Sequence, residues 1–352
     1  MQPELVGVFV WRVRWSGLKV ADDQNDSRPS RNQSTRPMPL ITQAFVLGAG
    51  MGLRLRPMTE DRPKPLVPIF QKPLITFSLD HLRSVGVESF VINTHRLKEQ
   101  FETEFADGTY DGAPLKLLHE PDLLETGGGI KNAETALRRE PFIVYSGDIL
   151  TDVDLGPLID EHFARGNDVT LALRDTGLAA AVAFRDGRVI DISNRYGHAG
   201  THDFANISIW NPNIFERIPP GKKMSFVPVV AEWIPQGGKI GAVVLNERKW
   251  FNIGSRDGYL EVHRTIAEDG WRPKYLNGQS WPTVVARDAQ IDPSATLSGF
   301  HAIGSGSRIG AGASIHNTIV WPGAQIASRS DLRNCIVRAH QKAEGTLRDV
   351  DI

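Results

Sequence analysis

Between Val285 and Ile315 an aliphatic residue recurs at every sixth position, and this period restricts the fold of the C-terminal part more than any other feature. A helix needs a period of about 3.6 residues and a half-buried strand a period of about 2, so neither fits. A coil with one aliphatic residue on each face does fit, which predicts a parallel β-helix. We expect about three coils within residues 279–340, followed by a C-terminal tail at 341–352. The recurring residues are Val285, Ile291, Leu297, Ile303, Ile309 and Ile315.

Residues 41–278 carry a different pattern, in which short apolar runs alternate with segments whose apolar residues lie three or four positions apart. The runs at 44–47, 90–93, 115–118 and 142–145 are too short for helices and predict buried strands. Such alternation predicts an α/β domain with a doubly wound, mixed sheet, whose ligand crevice lies beyond the carboxyl ends of its strands. The 352-residue chain therefore holds two folded parts.

The first 40 residues fit neither pattern. Positions 21 to 36 are nearly all Asp, Ser, Arg, Asn, Gln and Pro, which cannot bury a core, so residues 1–40 are predicted to be a disordered extension. Arg12 and Arg14 interrupt the early apolar patch, which argues against a secretory signal, and Met38 is an alternative start.

Composition excludes several classes of protein. A net charge of −1 argues against a nucleic-acid partner held by a general basic field. The chain has no apolar run of about 18 residues, so we expect no membrane partner. The single cysteine, Cys335, cannot form an intrachain disulfide, which predicts a cytoplasmic protein.

The most informative local motif follows the first apolar run. Gly48, Gly50 and Gly52 let the backbone turn sharply and bring its N–H groups close to an anion. A dinucleotide fingerprint would continue into an uninterrupted helix, but prolines soon follow at 57, 63, 65 and 68. A Walker loop would end in Gly-Lys-Ser or Gly-Lys-Thr, which is not present after these glycines. Arg54 and Lys64 add two cations to the loop, which indicates a polyphosphate ligand.

The run Leu47-Gly48-Ala49-Gly50-x-Gly52-x-Arg54-Leu55-x-Pro57, with Pro63-Lys64-Pro65-Leu66, resembles the signature of sugar-1-phosphate nucleotidylyltransferases. The resemblance covers about residues 44–264 and implies a Rossmann-like nucleotidyltransferase domain followed by the left-handed form of the β-helix. It implies transfer of a nucleotidyl group from an NTP to a sugar 1-phosphate, with release of pyrophosphate. In that reaction Arg54 and Lys64 would be catalytic cations, and the nucleotide would be bound by Leu47, Gly48, Ala49, Gly50 and Gly52.

A second glycine-rich stretch, Glu120-Pro121-Asp122-Leu123-Leu124-Glu125-Thr126-Gly127-Gly128-Gly129, is predicted to be a turn at the same edge of the sheet, before a helix that starts near Ile130. The resemblance implies that a base lies against it and gives nucleotide-binding roles to Glu120, Thr126 and Gly127. A flexible loop that only caps the helix is the alternative. The stretch resembles N-acetylmuramate-1-phosphate uridylyltransferases more than mannose-1-phosphate guanylyltransferases, whereas the attached β-helix occurs in guanylyl members.

Asp148 comes just after the strand at 142–145, so its carboxylate is expected to point into the crevice. The resemblance makes Asp148 a catalytic residue and a ligand of the cofactor Mg²⁺, a hard cation that prefers carboxylates and phosphate oxygens. An ordinary turn aspartate is the alternative. Asn252 stands where the family has a second metal-binding aspartate, and we expect weakened ligation there because an amide brings no charge.

Asp186-Gly187 predicts a hairpin in the half of the domain that would hold the sugar. Many relatives carry a lysine after this hairpin that holds the sugar phosphate, but it is missing here. Arg195 is expected to replace it, with Asn206 as a second sugar-phosphate ligand.

The sequence favours guanylyl transfer from GTP to mannose 1-phosphate or a related heptose 1-phosphate. We expect a homo-oligomer joined through the β-helix, where Trp281, Phe300 and Trp321 would face a partner subunit. Two other functions stay open: uridylyl transfer to an amino-sugar 1-phosphate, and a non-catalytic nucleotide-sugar-binding regulatory subunit. An acyltransferase with His301 or His316 as base is a further alternative, although three coils are few for that activity.

Overall fold

The computed structural model describes residues 40–177 and 180–352, so the predicted N-terminal extension lies, apart from Leu40, outside the described residues. An α/β part comes first and a solenoid of short strands follows it. The elements of the α/β part are β1 (Gln43–Leu47), β2 (Pro68–Ile69), β3 (Lys72–Pro73), α1 (Leu74–Ser84), β4 (Ser89–Thr94), α2 (Lys98–Glu104), β5 (Thr109–Tyr110), β6 (Ala113–His119), α3 (Glu125–Asn132), β7 (Phe142–Ser146), β8 (Ile149–Thr151), α4 (Gly156–Ala164), β9 (Val169–Arg174), β10 (Val182–Arg185), β11 (Arg188–Ile192), β12 (Asp203–Trp210), α5 (Phe226–Trp233), β13 (Ile240–Val244), β14 (Trp250–Asn252) and α6 (Arg256–Glu268).

Within the described residues, ten of these strands form one mixed sheet in the order β10-β11-β13-β9-β12-β7-β1-β4-β6-β5. Strand β1 lies between β4 and β7 and is parallel to both. The chain runs outward from β1 through β4 to β6 and then returns to β7 on the other side of β1, so β1 and β7 flank a topological switch point. Ligands of open α/β sheets bind beyond the carboxyl ends of the strands at such a point. The predicted doubly wound, mixed sheet is confirmed.

Apolar layers cover both faces of the sheet. Ala44 and Val46 of β1 pack with residues of α1 and α2, whereas Phe45 between them packs with residues of α3 and α5. All three side chains are fully buried, which explains why β1 is a continuous apolar run instead of an alternating one. Burial from both sides fixes the ends of β1 and β7 and therefore the loops that follow them.

The C-terminal strands form a parallel β-helix, as the period of six predicted. Its strands are β15 (Gln290–Ile291), β16 (Thr296–Ile303), β17 (Arg308–Ile309), β18 (Ser314–Val320), β19 (Gln325–Ile326), β20 (Asp331–Arg333), β21 (Ile336–Val337), β22 (Lys342–Ala343) and β23 (Thr346–Arg348). Along one ladder Ile291 pairs with Ile309 and Ile309 with Ile326, which are about three hexads apart. The aliphatic side chains of Ile303, Ile309 and Ile315 are buried in the solenoid interior.

The solenoid is longer than predicted. The ladders β15-β17-β19-β22 and β16-β18-β20-β23 each have four rungs, and β22 and β23 belong to residues 341–352, which were expected to be a tail. From the second rung to the third the partners lie 17 positions apart instead of 18, as in Ile309 with Ile326 and Ile315 with Leu332. Because one residue is missing from this coil, positions counted in sixes no longer coincide with the buried positions beyond it, although the strands continue to pair. The period of six therefore underestimates the length of the solenoid.

The prediction that Trp281, Phe300 and Trp321 face a partner subunit is wrong, because all three are buried within this chain. Their exposed fractions are 6%, 1% and 1%, and they pack in one apolar cluster with residues of the α/β part that include Phe70, Phe77 and Tyr259. Trp281 Nε1 also donates to the carbonyl of Ile69 at 3.1 Å. The solenoid period shows which side chains point inward, but it carries no information on which outward side chains the other part of the chain covers.

The longest α-helix among the described residues, α6, has 13 residues, and none of these helices is long and apolar enough to cross a membrane. The Cys335 thiol is free and buried in the solenoid.

Candidate active site

Two neighbouring cavities open at the carboxyl ends of β1 and β7. The main cavity, of about 390 Å³, is lined by Leu47, Ala49, Gly50, Lys64, Pro65, Asn93, Leu123, Glu125, Thr126, Ser146, Asp148 and Ser225. The side cavity, of about 360 Å³, is lined by Gly50, Gly52, Leu53, Arg54, Leu55, Lys64, Asp148 and Gly254. Gly50, Lys64 and Asp148 line both and form what we call the shared wall. A ligand that extended from one cavity into the other would pass these three residues.

The glycine-rich loop after β1 is held by close backbone contacts. Gly48 N donates to Asn93 Oδ1 at 2.8 Å, and a Cβ at position 48 would lie 2.6 Å from the Asn93 carbonyl oxygen, so only glycine fits there. Gly52 has a φ of +64° and its carbonyl accepts from Thr59 Oγ1 at 2.7 Å. Two short 3₁₀ turns, Leu53–Leu55 and Lys64–Leu66, follow instead of a long helix, which confirms the expectation from the prolines.

Lys64 and Asp148 form an ion pair at the shared wall. Lys64 Nζ lies 2.5 Å from Asp148 Oδ2, and the exposed fractions of the two side chains are 8% and 33%. The backbone on the Asp148 side is tied to β1, because Gly147 N donates to the Leu47 carbonyl at 2.9 Å. The pair therefore places a fixed cation and a carboxylate next to each other where the two cavities meet.

Arg54 and Asn252 lie near the same wall of the side cavity. Strands β8 and β14 pair with Asn252 opposite Ile149, and Ile253 N donates to the Asp148 carbonyl at 3.2 Å. A Cβ on Gly254 would lie 3.0 Å from Asn252 Oδ1 and 3.3 Å from an Arg54 guanidinium nitrogen. Both side chains are therefore close to Gly254, which lines the side cavity together with Arg54 and Asp148.

These residues offer a divalent cation only a small set of ligands. Among the described residues, no three His, Cys, Asp or Glu side chains form a group that could hold a metal ion. Asp148 can supply a carboxylate oxygen and Asn252 an amide oxygen, and Mg²⁺ is often bound by one or two carboxylates together with substrate phosphates. The set fits a cation that is held largely by phosphate oxygens of a substrate.

Glu120 braces the loop after β1 against the start of α3. Its side chain is buried, with Oε1 accepting from Asn93 Nδ2 at 2.8 Å and Oε2 from Leu124 N at 3.0 Å. Burial raises the pKa of Glu120, while the hydrogen bonds from Asn93 and Leu124 oppose the rise. Glu120 lines neither cavity, so the structure does not place it where the sequence analysis expected a nucleotide ligand.

The predicted glycine-rich turn is part of helix α3, which begins at Glu125 and not near Ile130. Gly127 N and Gly128 N both donate to the Met224 carbonyl, at 2.8 and 3.0 Å, and a Cβ on Gly128 would lie 2.4 Å from the Lys222 carbonyl oxygen. Instead of leaving a free backbone edge for a base, the glycines let segment 222–225 pack directly on the helix. Tertiary packing here overrides the low helix propensity of glycine.

This packing determines which residues of the stretch reach the main cavity. Thr126 lines it and accepts a hydrogen bond from Phe226 N at 3.2 Å, and Ser225, the N-cap of α5, lines it as well. Gly127 is buried under segment 222–225 and lines neither cavity.

The two residues predicted to hold the sugar phosphate are not at either cavity. Arg195 donates to Glu232 Oε1 at 2.6 Å. Asn206 has a φ of +63° at an irregularity in the pairing of β12 with β9. Neither residue lines the main or the side cavity, so their roles stay predictions.

Several residues of the main cavity were not predicted from the sequence, among them Asn93 and Ser225. Asn93 lies near the carboxyl end of β4, next to β1, so the rule that ligands bind at strand ends could have found it. Ser225 comes from a segment about 100 residues after Thr126, and no local signal links the two.

Comparison with known proteins gives three kinds of match. The profile of the Nucleotidyl transferase family matches residues 43–269. A mannose-1-phosphate guanylyltransferase of Mycobacterium tuberculosis is 29% identical over 290 residues, which are 80% of this chain and 80% of that protein. An N-acetylmuramate alpha-1-phosphate uridylyltransferase of Neisseria meningitidis is 42% identical over 232 residues, 60% of this chain and 93% of that protein. The solved inositol-1-phosphate CTP transferase of T. maritima has a TM-score of 0.53 at 18% identity, covers 63% of this chain and 92% of its own, and shows a shared fold.

Proposed function

This chain belongs to the nucleotidyl transferase family, and on that premise we propose that it transfers a nucleotidyl group from an NTP to a sugar 1-phosphate, giving an NDP-sugar and pyrophosphate. The observation that carries the proposal is the shared wall, where Lys64 and Asp148 stand between two cavities. A nucleoside and sugar in the main cavity with pyrophosphate in the side cavity would put the reacting α-phosphorus at this wall.

The chemistry of this reaction needs charge and alignment more than proton transfer. A sugar phosphate is already anionic at neutral pH and can attack without a general base, so catalysis comes from positioning and from neutralising charge on the phosphates. Lys64 at the shared wall and Arg54 in the side cavity are the cations available for this role. Lys64 would exchange its contact with Asp148 for a phosphate oxygen when the nucleotide binds.

Mg²⁺ would be held by Asp148 and Asn252 and, when bound, would neutralise charge on the phosphate oxygens. Asn252 brings no negative charge, so this site would bind the cation more weakly than a site with two carboxylates.

Guanylyl transfer to mannose 1-phosphate or a heptose 1-phosphate is the first candidate for the specific reaction. It is supported by the mycobacterial guanylyltransferase, which aligns with a longer span of this chain than the α/β part alone. Uridylyl transfer to an amino-sugar 1-phosphate is the second candidate. It is supported by the higher identity to the uridylyltransferase. It is also supported by the packing of α3: the resemblance puts the alanine of the Leu-Gly-Thr-Ala-Gly found in many guanylyltransferases at position 127, where a Cβ would lie 2.9 Å from the Met224 carbonyl oxygen.

A non-catalytic regulatory subunit, suggested by Asn252, would not need Arg54 and Lys64 at one site. The single buried thiol of Cys335 suits a cytoplasmic protein. Assembly through the β-helix stays a prediction, and light scattering on the full chain would test it.

The deciding experiment is a pyrophosphate-release assay on the full chain. Each of the four NTPs is combined with mannose, glucose, N-acetylmuramate and heptose 1-phosphates, with Lys64→Ala as the inactive control. Release with one base and one sugar identifies the substrates. The absence of release with every pair, at protein concentrations that bind NTP, would contradict the proposed function and favour the regulatory subunit.

A further inference from the structure

The β-helix makes polar contacts with the segment of the α/β part that joins Arg54 to Lys64. Arg338, directly after β21, donates from one guanidinium nitrogen to the Pro57 carbonyl and to Asp61 Oδ2, both at 3.2 Å. The same nitrogen lies 3.7 Å from Glu60 Oε2, and only 14% of the Arg338 side chain is exposed. A guanidinium with this little solvent around it is screened less than a surface arginine.

A second contact reaches the residues that follow Lys64. Trp321 Nε1 donates to the Tyr259 hydroxyl at 2.9 Å, and that hydroxyl donates to the Pro68 carbonyl at 2.7 Å. The Arg62 guanidinium lies 5.8 Å from the centre of the Trp321 ring. The β-helix therefore contacts the segment before Lys64 directly and reaches the residues after Lys64 through Tyr259 of α6.

The Arg338 contacts lie on the stretch of chain between the two predicted catalytic cations, Arg54 and Lys64. Pro57 is three residues after Arg54, and Asp61 is three residues before Lys64. Between them Met58 is fully buried in the cluster that also contains Phe300 and Trp321. The segment's own backbone bonds are short-range turns, such as Glu60 N to the Pro57 carbonyl at 3.0 Å. Its placement relative to the shared wall thus depends on contacts with other parts of the chain.

Helix α2 and the turn before it supply contacts from another element, but they are exposed. Arg96 donates to the Glu60 carbonyl at 3.2 Å and Gln100 to the Asp61 carbonyl at 2.7 Å. The Arg338 bond to the Pro57 carbonyl is partly buried, and only 14% of the side chain that donates it is exposed.

We propose that Arg338 is a positioning residue for nucleotidyl transfer, and that the β-helix is a fixed support, within the same chain, for the segment that carries Arg54 and Lys64. This inference rests on the proposed function. The β-helix would then contribute to catalysis in each single chain, independently of any assembly.

The kinetic test compares Arg338→Ala and Arg338→Lys with two control variants in the full chain. Arg308→Ala removes an exposed arginine on another face of the solenoid, and Ile326→Val weakens the solenoid core without touching the segment. We expect Arg338→Ala to lower kcat about tenfold or more while KM for both substrates changes less than about threefold, because misplaced charges weaken transition-state stabilisation more than ground-state binding. Arg338→Lys should recover part of kcat, since an ammonium can reach one acceptor. The controls should keep wild-type kcat.

Hydrogen exchange supplies a readout that does not depend on turnover. Peptides covering residues 53–67 should exchange faster in Arg338→Ala than in the wild type or in either control, with other peptides unchanged. The proposal would be overturned if Arg338→Ala left both kcat and hydrogen exchange unchanged. It would also be overturned if Arg338→Ala and Ile326→Val lowered Tm equally and lowered kcat equally, because the loss would then follow from general destabilisation. If the wild type itself turns over no substrate pair, the proposed function fails, while the exchange comparison still decides whether Arg338 supports the segment.

Discussion

Replacing Asn93 by aspartate should make the stability of this protein depend steeply on pH. In the wild type, Asn93 Oδ1 accepts from Gly48 N and Asn93 Nδ2 donates to Glu120 Oε1 at 2.8 Å. Asn93→Asp keeps the shape and the bond from Gly48, but it puts a carboxylate oxygen where the donor was. Two buried carboxylates would then face each other.

The distance sets the size of the effect. Two unit charges 2.8 Å apart repel by about 6 kcal/mol at an effective dielectric of ~20. The two carboxylates can avoid this repulsion if the pair binds one proton. Holding that proton costs about 1.4 kcal/mol for every unit by which the pH exceeds the pKa of the carboxyl group in the unfolded chain, which is 4.5 for Glu120. That cost is about 5 kcal/mol at pH 8 and below about 1 kcal/mol at pH 5, so protonation is the cheaper state throughout. The pKa of the folded pair is raised, and its stability is therefore present below pH 4.5 and lost as the pH rises.

The matched control is the double variant Asn93→Asp with Glu120→Gln, which inverts the hydrogen bond. Its glutamine Nε2 can donate to the new carboxylate while its Oε1 accepts from Leu124 N, as Glu120 Oε2 does now. Urea unfolding at pH 5, 6, 7 and 8 should show the single variant losing about 4 kcal/mol relative to the double variant across this range. Equal pH slopes for the two variants would refute the geometry of the brace.

Three other predictions concern the site. Lys64→Ala and Arg54→Ala should each lower kcat by about 10²-fold or more with little change in Tm, because each removes a preorganised charge; wild-type turnover in either would refute their roles. Asn252→Asp should lower the half-saturating Mg²⁺ concentration and Asn252→Ala should raise it, and midpoints that stay equal in a Mg²⁺ titration of turnover would show that residue 252 does not face the cation. Gly128→Ala should lower the free energy of unfolding by about 1–3 kcal/mol and weaken NTP binding, since its Cβ would lie 2.4 Å from the Lys222 carbonyl oxygen; wild-type values in urea unfolding and calorimetry would contradict the packing of α3.

The sequence predicted those features of the fold that depend on local patterns. The run at 44–47 is apolar because β1 is buried on both faces, and its neighbours in the sheet show the same pattern. Gly48, Lys64 and Asp148 were found because a strand end followed by glycine, and a cation between two prolines, are visible within a few residues. Lys64 and Asp148 do meet at the shared wall.

The features that sequence analysis missed depend on contacts between distant segments. Gly127 and Gly128 have the composition of a turn, and only the packing of segment 222–225 makes them part of a helix. In the sequence Glu120 has the features of a ligand in a loop, but both of its carboxylate oxygens accept hydrogen bonds within the protein, from Asn93 Nδ2 and Leu124 N. Trp321 is a large outward residue of a solenoid, and the sequence does not show that Tyr259 lies against it.

The packing of segment 222–225 on α3 has a consequence for the construction of chimaeras. Exchanging the stretch around Glu125 and Thr126 with that of a relative would be an obvious way to change the preferred base, since both residues line the main cavity. Gly127 N donates to the Met224 carbonyl, and neither Gly127 nor Gly128 leaves room for a methyl group. A donor stretch with alanine at either position would therefore clash with a recipient segment about 100 residues away. The two segments form a single exchangeable module that is split in the sequence, and a graft should move both at once.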